Sequence, residues 1–145
     1  MAQLQSLDEN ISVAHGRWGE DVAVEKLRRE GYLIVDRNSR PCPWNRKLEI
    51  DIVAYDKSTD TMVFVEVKQH AAHVPHESRI RGVDRKKFAN LRKAFNAWRR
   101  CNKWFGAYRF DIVEIFGVPE GGRPEVDHVE KVQIFGLRER FVRWG

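Results

Sequence analysis

Two stretches decide how this chain folds: Leu48-Glu49-Ile50-Asp51-Ile52-Val53-Ala54-Tyr55 and Thr61-Met62-Val63-Phe64-Val65-Glu66-Val67-Lys68. Each is short and rich in β-branched and aromatic residues, with acids spaced two apart in the first, as expected of strands. Asp56-Lys57-Ser58-Thr59-Asp60 between them is polar and turn-forming, so the pair is expected to close as a hairpin. Side chains along a strand alternate faces. Glu49 and Asp51 therefore share one side, opposite Leu48, Ile50, Ile52 and Ala54. Glu66 and Lys68 share a side as well, opposite Val63, Val65 and Val67. Asp51 and Glu66 converge if the hairpin takes the matching register.

Upstream, the pattern from Val13 to Glu30 is helical, with Val13, Ala23 and Leu27 on one face, Ser12 as N-cap and Gly31 just past the last turn. Tyr32 to Val35 reads as a strand, and Asn38 to Lys47, with Pro41, Pro43 and Asn45, as a loop. Downstream, a histidine-containing loop with Pro75 leads to a helix capped by Asp84 and running to about Lys103. Phe88, Leu91, Phe95 and Trp98 recur at helical spacing and are expected to face the core. Ala107 to Phe116 is a strand, Pro119, Gly121-Gly122 and Pro124 mark a turn, and Val126 to Phe135 is a final strand. Helix, three strands, helix and two strands imply an α/β sandwich, a mixed central sheet flanked by helices. The 145 residues contain no repeat or linker and match the usual size of one domain, so 1–145 are read as a single unit.

Charge is unevenly spread. Between Arg79 and Arg109 lie eleven Lys or Arg residues and one acid, for a local charge of +10; the net +5 leaves −5 for the rest. Such a basic stretch favours a polyanionic partner, although solvated helix faces are often charged too. No apolar run approaches the roughly 18 residues that span a bilayer, and MAQLQSLDENISV lacks a secretory pattern, so a cytoplasmic protein without membrane contact is expected. Cys42 and Cys101 match no metal or redox spacing and read as reduced thiols.

Asp51, Glu66 and Lys68 are the minimum parts for metal-assisted phosphodiester hydrolysis. Carboxylates suit Mg²⁺ or Mn²⁺, which activate water and neutralise phosphoryl charge, while a lysine orients the water or steadies the developing charge. A bare pattern of this kind is more often a cross-strand salt bridge on a solvated sheet face. Glu20 shifts that balance, because it shares the helical stripe of Ala23, Val24 and Leu27 that should meet the sheet. The alternative for Glu20 is a helix-edge acid reaching water or pairing with Arg17.

The run Gly16-Arg17-Trp18-Gly19-Glu20, with Ala23, Leu27, Gly31-Tyr32 and Arg37-Asn38, resembles the N-terminal half of the uncharacterised bacterial YraN-type family. Glu49 to Ala54 and Phe64 to Lys68 resemble its two central motifs, and Arg109-Phe110-Asp111 its late strand. The likeness spans Gly16 to Ile115, with one departure: Leu48 stands where members commonly have Gly. That family is similar to the PD-(D/E)XK, restriction-endonuclease-like superfamily and to archaeal Holliday junction resolvases. The resemblance implies a restriction-endonuclease-like sandwich in which Asp51 and Glu66 bind metal, Lys68 assists catalysis and Glu20 completes the site. Gln69 falls where the superfamily often places a polar helper. An endonuclease acting on structured or branched DNA in repair or recombination is the implied activity, and a homodimer would suit symmetric cleavage. The alternative is a non-catalytic nucleic-acid-binding module on the same fold.

Three further features complete the reading. Arg40, Arg46, Lys86, Lys87, Arg92 and Lys93 are candidates for phosphate contacts, which position nucleic acid without reading sequence. Trp44 either packs over the sheet edge or stacks on an unpaired base. His70, His73 and His76 lack the geometry of a zinc site because Pro75 interrupts them, and they read instead as a loop beside the active site.

Overall fold

The computed structural model describes residues 2–72 and 85–132. The hairpin forms as the sequence requires: β2 (Ile50–Asp56) and β3 (Thr61–His70) pair antiparallel, with Ile52 opposite Val65 and Asp56 opposite Thr61. Outside β2 lies β1 (Leu33–Ser39), also antiparallel. On the other flank β4 (Ala107–Phe116) runs parallel to β3, in register from Thr61–Ala107 to His70–Phe116. The antiparallel β5 (Glu125–Val129) completes a sheet of order β1-β2-β3-β4-β5. A parallel pair demands a long crossover, and here that crossover carries the helix α2 (Arg85–Cys101).

The two faces of the sheet are apolar in different ways. Helix α1 (Ala2–Arg29) lays Ala23, Val24 and Leu27 on a surface of Ile52, Ala54, Val63, Val65, Val113 and Ile115. Helix α2 packs Leu91, Phe95 and Trp98 on Met62, Phe64, Phe110 and Ile112. The Phe64 ring stacks on Phe95 with centroids 4.6 Å apart and meets Trp98 edge-on at 5.5 Å. The α/β sandwich with a mixed central sheet between helices is therefore the observed architecture.

Several boundaries differ from those read in the sequence. The first helix begins at Ala2, not after a Ser12 cap, and Val13 is exposed instead of facing the core. Residues 2–12 contain no Gly or Pro, so nothing stops the helix there. The first strand runs on to Ser39, past a β-bulge between Ile34 and Asp36. The second helix stops at Cys101, and Lys103 takes the left-handed conformation at φ 52°. The last strand ends at Val129, shortly before Lys131 at φ 56°. Residues 133–135 of that expected strand, and the proposed Asp84 cap, lie outside the described residues.

Candidate active site

The site is made where two strands part. Strand β2 remains paired to β1 as far as Ser39–Ile50, but its ladder with β3 ends at Ile52–Val65. At the fork the Asp51 side chain substitutes for the missing backbone, its Oδ2 accepting a 2.8 Å hydrogen bond from the Val67 N–H. The fork also breaks the alternation expected for β2. Ile52 and Ala54 pack towards α1, whereas Leu48 and Ile50 join the α2 side.

Asp51 is hydrogen-bonded to Glu66, whose side chain is buried. Burial, and then the Glu66 charge with a smaller push from Glu20, raise Asp51 from 3.8 to about 8 against the Val67 bond. The pair thus holds a proton at neutral pH. Lys87 of α2 sets its Nζ 2.7 Å from Glu66 Oε1. Lys68 follows two residues after Glu66 on the same face. Burial lowers its pKa, as does the nearby Lys87, while Glu66 and Glu114 oppose the shift. Beside Lys68, the buried Glu114 of β4 meets Nε2 of His70 at 3.0 Å, and the His70 ring stacks on Phe116. An open pocket of about 390 Å³ gives access to Asp51 and Glu66, lined also by Lys47, Glu49, Lys86, Lys87 and Asn90.

Not every residue singled out in the sequence joins this cluster. Glu20 lies half-buried on α1, hydrogen-bonded to Asn38 and 4.0 Å from Arg37, and not paired with Arg17. Burial raises its pKa, and those two partners counter the rise. Its charge is felt at Asp51, but among the described residues no three His, Cys, Asp or Glu side chains gather closely enough to hold one ion. Gln69 faces the α1 side of the sheet, away from Lys68, and donates to the Gly117 carbonyl. It lies beneath Gly19, where an added Cβ would stand 3.1 Å from the Gln69 Cβ. Close helix–sheet approach accounts for that glycine.

Among the basic residues, Lys86 and Lys87 line the pocket, Arg46 and Lys93 are exposed, and Arg92 is half-buried. Arg40 reaches Glu49 at 3.5 Å. Trp44 does not pack over the sheet edge but is 83% exposed. His70 ends β3 and does not belong to a loop; His73 and His76 lie outside the described residues. Both cysteines are free thiols. No helix among the described residues is long and apolar enough to cross a membrane.

A second polar cluster went unread in the sequence. Asp111, fully buried on the α1 side of β4, accepts from Arg109 Nε at 3.1 Å and from the Lys131 N–H at 3.0 Å. It also meets His128 Nε2 at 2.7 Å, while Nδ1 of His128 lies 3.1 Å from Glu30. Arg109 goes on to Asp56 at 3.1 Å and to the Tyr32 hydroxyl at 2.6 Å. Burial disfavours charge on His128, but Asp111 and Glu30 outweigh it and raise its pKa. The cluster ties the end of α1 to β2, β4 and β5. The signal was available, because Asp111 and Glu114 interrupt an apolar strand just as Asp51 and Glu66 do.

Comparison with known proteins adds one finding. The model of a family described as "Uncharacterised protein family UPF0102" matches residues 19–115. A UPF0102 protein of Nitratidesulfovibrio vulgaris is 40% identical over 127 residues, 87% of each chain. Another, from Mycobacterium avium, is 34% identical over 136 residues, 91% of this chain and 99% of its own. A third, from Herpetosiphon aurantiacus, is 30% identical over 123 residues, 83% of this chain and 94% of its own. These matches bear out the resemblance to an uncharacterised bacterial family read from the motifs.

Proposed function

The chain belongs to the uncharacterised protein family UPF0102, and we propose that it is a metal-dependent nuclease that hydrolyses phosphodiester bonds of structured or branched DNA. One observation carries the reading: at the β2–β3 fork two carboxyls are pressed together, one fixed by a backbone N–H, with lysines on both sides and an open pocket in front. A sheet stabilised only by salt bridges gains nothing from a buried acid pair that must keep a proton.

The donor set fits Mg²⁺ or Mn²⁺. Such ions keep several waters and need one or two protein carboxylates, so Asp51 and Glu66 suffice, with Glu20 further out. When bound, the ion neutralises phosphoryl charge and makes water more acidic. The remaining work falls to the chain. The Val67 N–H holds the Asp51 carboxylate in one orientation. The charges of Glu66 and Glu114 favour the Lys68 ammonium, while burial and Lys87 oppose it and lower its pKa. Lys68 is thereby suited to orient the attacking water and to steady the charge that develops as the phosphorus–oxygen ester bond breaks. Lys47, Lys86 and Lys87 in the pocket lining offset phosphate charge, and the exposed Arg46 and Lys93 add further positive charge.

The reading includes a homodimer, as paired incisions would need. Leu4, Leu7, Ile11 and Ala14 on α1 recur at the three-and-four spacing of a helix-pairing seam, and the first three are 67%, 57% and 52% exposed. A two-fold pair presents this same stripe from each copy, so a second copy of the chain is the matching occupant.

A second reading, a non-catalytic nucleic-acid-binding module, is favoured by the Lys87 ammonium seated on Glu66. The two are separated by cleavage of labelled single strand, duplex, flap, four-way junction and RNA with Mg²⁺ or Mn²⁺. Cleavage is expected from the parent and lost in Asp51→Asn and in Lys68→Ala, both folded by circular dichroism. Cleavage surviving in both variants refutes the site. A parent that cuts nothing yet binds these nucleic acids in EDTA makes the protein a binding module.

A further inference from the structure

Trp44 is 83% exposed, the most exposed of the large hydrophobic side chains among the described residues, and tryptophan is enriched at binding interfaces. The loop that carries it is firmly held. Two successive turns close through Asn45 N–H to Cys42 carbonyl at 2.9 Å and Leu48 N–H to Asn45 carbonyl at 3.1 Å. The Asn45 side chain accepts a further hydrogen bond from the Lys47 N–H. On either side of the indole, Cys42 and Leu48 are 7% and 5% exposed and sink into the α2-side core. At its base, Arg40 is joined to Glu49. The indole is thus displayed by a preorganised support, and little ordering cost remains to be met on binding.

The neighbours of Trp44 narrow the class of ligand. Arg46 and Lys47 beside it are exposed, and Lys47 and Glu49 line the same pocket as Asp51 and Glu66. Within a few residues the chain therefore offers a flat π surface, cations, and the entrance to the carboxylate site. A nucleotide matches all three, with a planar base for the indole and phosphates for the cations. A base within a duplex already has both faces covered, and exposing one costs a few kcal/mol on the general scale of unstacking. An unpaired base carries no such cost.

We propose that Trp44 is a stacking platform for an unpaired nucleobase of the strand whose phosphodiester enters the Asp51–Glu66 pocket, so that the protein selects strands with unpaired nucleotides over continuous duplex. The inference rests on the nucleic-acid reading of that pocket and specifies the substrate it takes. Cleavage near flaps, gaps or junction openings follows from it without any readout of base sequence.

The test is fluorescence anisotropy in EDTA, where no cutting occurs, with a labelled single strand, a flap and a blunt duplex of equal length. The parent is expected to bind single strand and flap more tightly than duplex. Trp44→Ala should weaken the first two about tenfold and leave duplex binding within about twofold, and Trp44→Phe should restore most of the loss. Thermal melting of both variants should match the parent, since the side chain packs against little. Equal affinities of Trp44→Ala and parent for single strand and flap overturn the platform alone. A uniform loss across all three substrates does so too, by assigning Trp44 to general affinity. A parent that binds none of them removes the nucleic-acid reading and the platform with it. If Trp44→Ala instead loses binding to anionic phospholipid vesicles while holding nucleic acid normally, the indole serves a lipid surface and the inference is wrong.

Discussion

Replacing Asp51 with Asn should make the metal-free protein more stable, and the gain should grow with pH. Asp51 in the fold titrates at about 8 rather than 3.8, because burial and the Glu66 carboxylate oppose its charge. With the folded value raised, its contribution to stability is fully present below about pH 4 and is lost progressively as pH rises towards 8. The whole displacement corresponds to a ceiling of about 6 kcal/mol at about 1.4 kcal/mol per unit. The pocket is open and Lys87 stands beside Glu66, so about 2–3 kcal/mol is a realistic fraction of it at pH 8. Asparagine reproduces the protonated state: its carbonyl oxygen can accept from Val67 while its amide donates to Glu66. Urea unfolding in EDTA at half-unit steps from pH 5 to 9 measures the difference. The variant's advantage should be smallest at pH 5 and grow up to pH 8, and millimolar Mg²⁺ should restore the parent while leaving the variant unmoved. An Asn variant no more stable than the parent at pH 8, with parallel pH profiles, refutes the claim that the two carboxyls are forced together.

The remaining expectations concern the scaffold. Asp111→Ala strands the mostly buried Arg109 and His128 without their shared carboxylate, and should cost about 3–5 kcal/mol in urea unfolding; a cost below about 1 kcal/mol would show that the cluster is ornamental. The folded pKa of His128 is raised, so its contribution is fully present below the ordinary value of 6.5 and lost as pH rises through the folded one. His128→Gln should flatten that part of the stability profile, and an unchanged slope would place the titration elsewhere. Sedimentation should find a dimer that Leu7→Lys with Ile11→Lys converts to monomer; a parent that is monomeric at every concentration removes the α1 seam.

How much of this was legible in the sequence depends on the range of the interactions. The hairpin was, because the alternation of Val63, Val65 and Val67 against Glu66 and Lys68 is local and survives intact in β3. The core stripe of α2 was legible for the same reason: Leu91, Phe95 and Trp98 follow the helical repeat onto one face. The alternation of β2 failed at Asp51, where the expectation of one continuous row through Ile50 and Ile52 assumed an unbroken ladder. No local pattern reports that a strand will leave one neighbour while keeping the other. Gln69 illustrates the same limit, since period two alone puts it opposite Lys68, but only the approach of α1 through Gly19 shows what occupies that side. Lys87 was read as a phosphate contact, and its pairing with Glu66 depends on where α2 lands.

The two polar clusters also bear on each other through β4. Asp111 points to the α1 side and locks the strand to β2, β5 and the end of α1, while Glu114, three residues on, points to the α2 side and flanks Lys68. Strand β3, which carries Glu66 and Lys68, is held between β2 and β4. At the fork β2 has let go of β3, so beyond Val65 the position of Glu66 and Lys68 relies on the ladder to β4 and on the Asp51 bond to Val67. Once the shared proton is lost, the acid pair pushes outward on that opening. The Asp111 cluster supplies the opposing rigidity, fastening the partner strand one residue from the register of Glu66, which pairs with Ile112. A site that stores unfavourable charge needs such an anchor, and the late Arg109-Phe110-Asp111 motif supplies it on the face opposite the carboxylates.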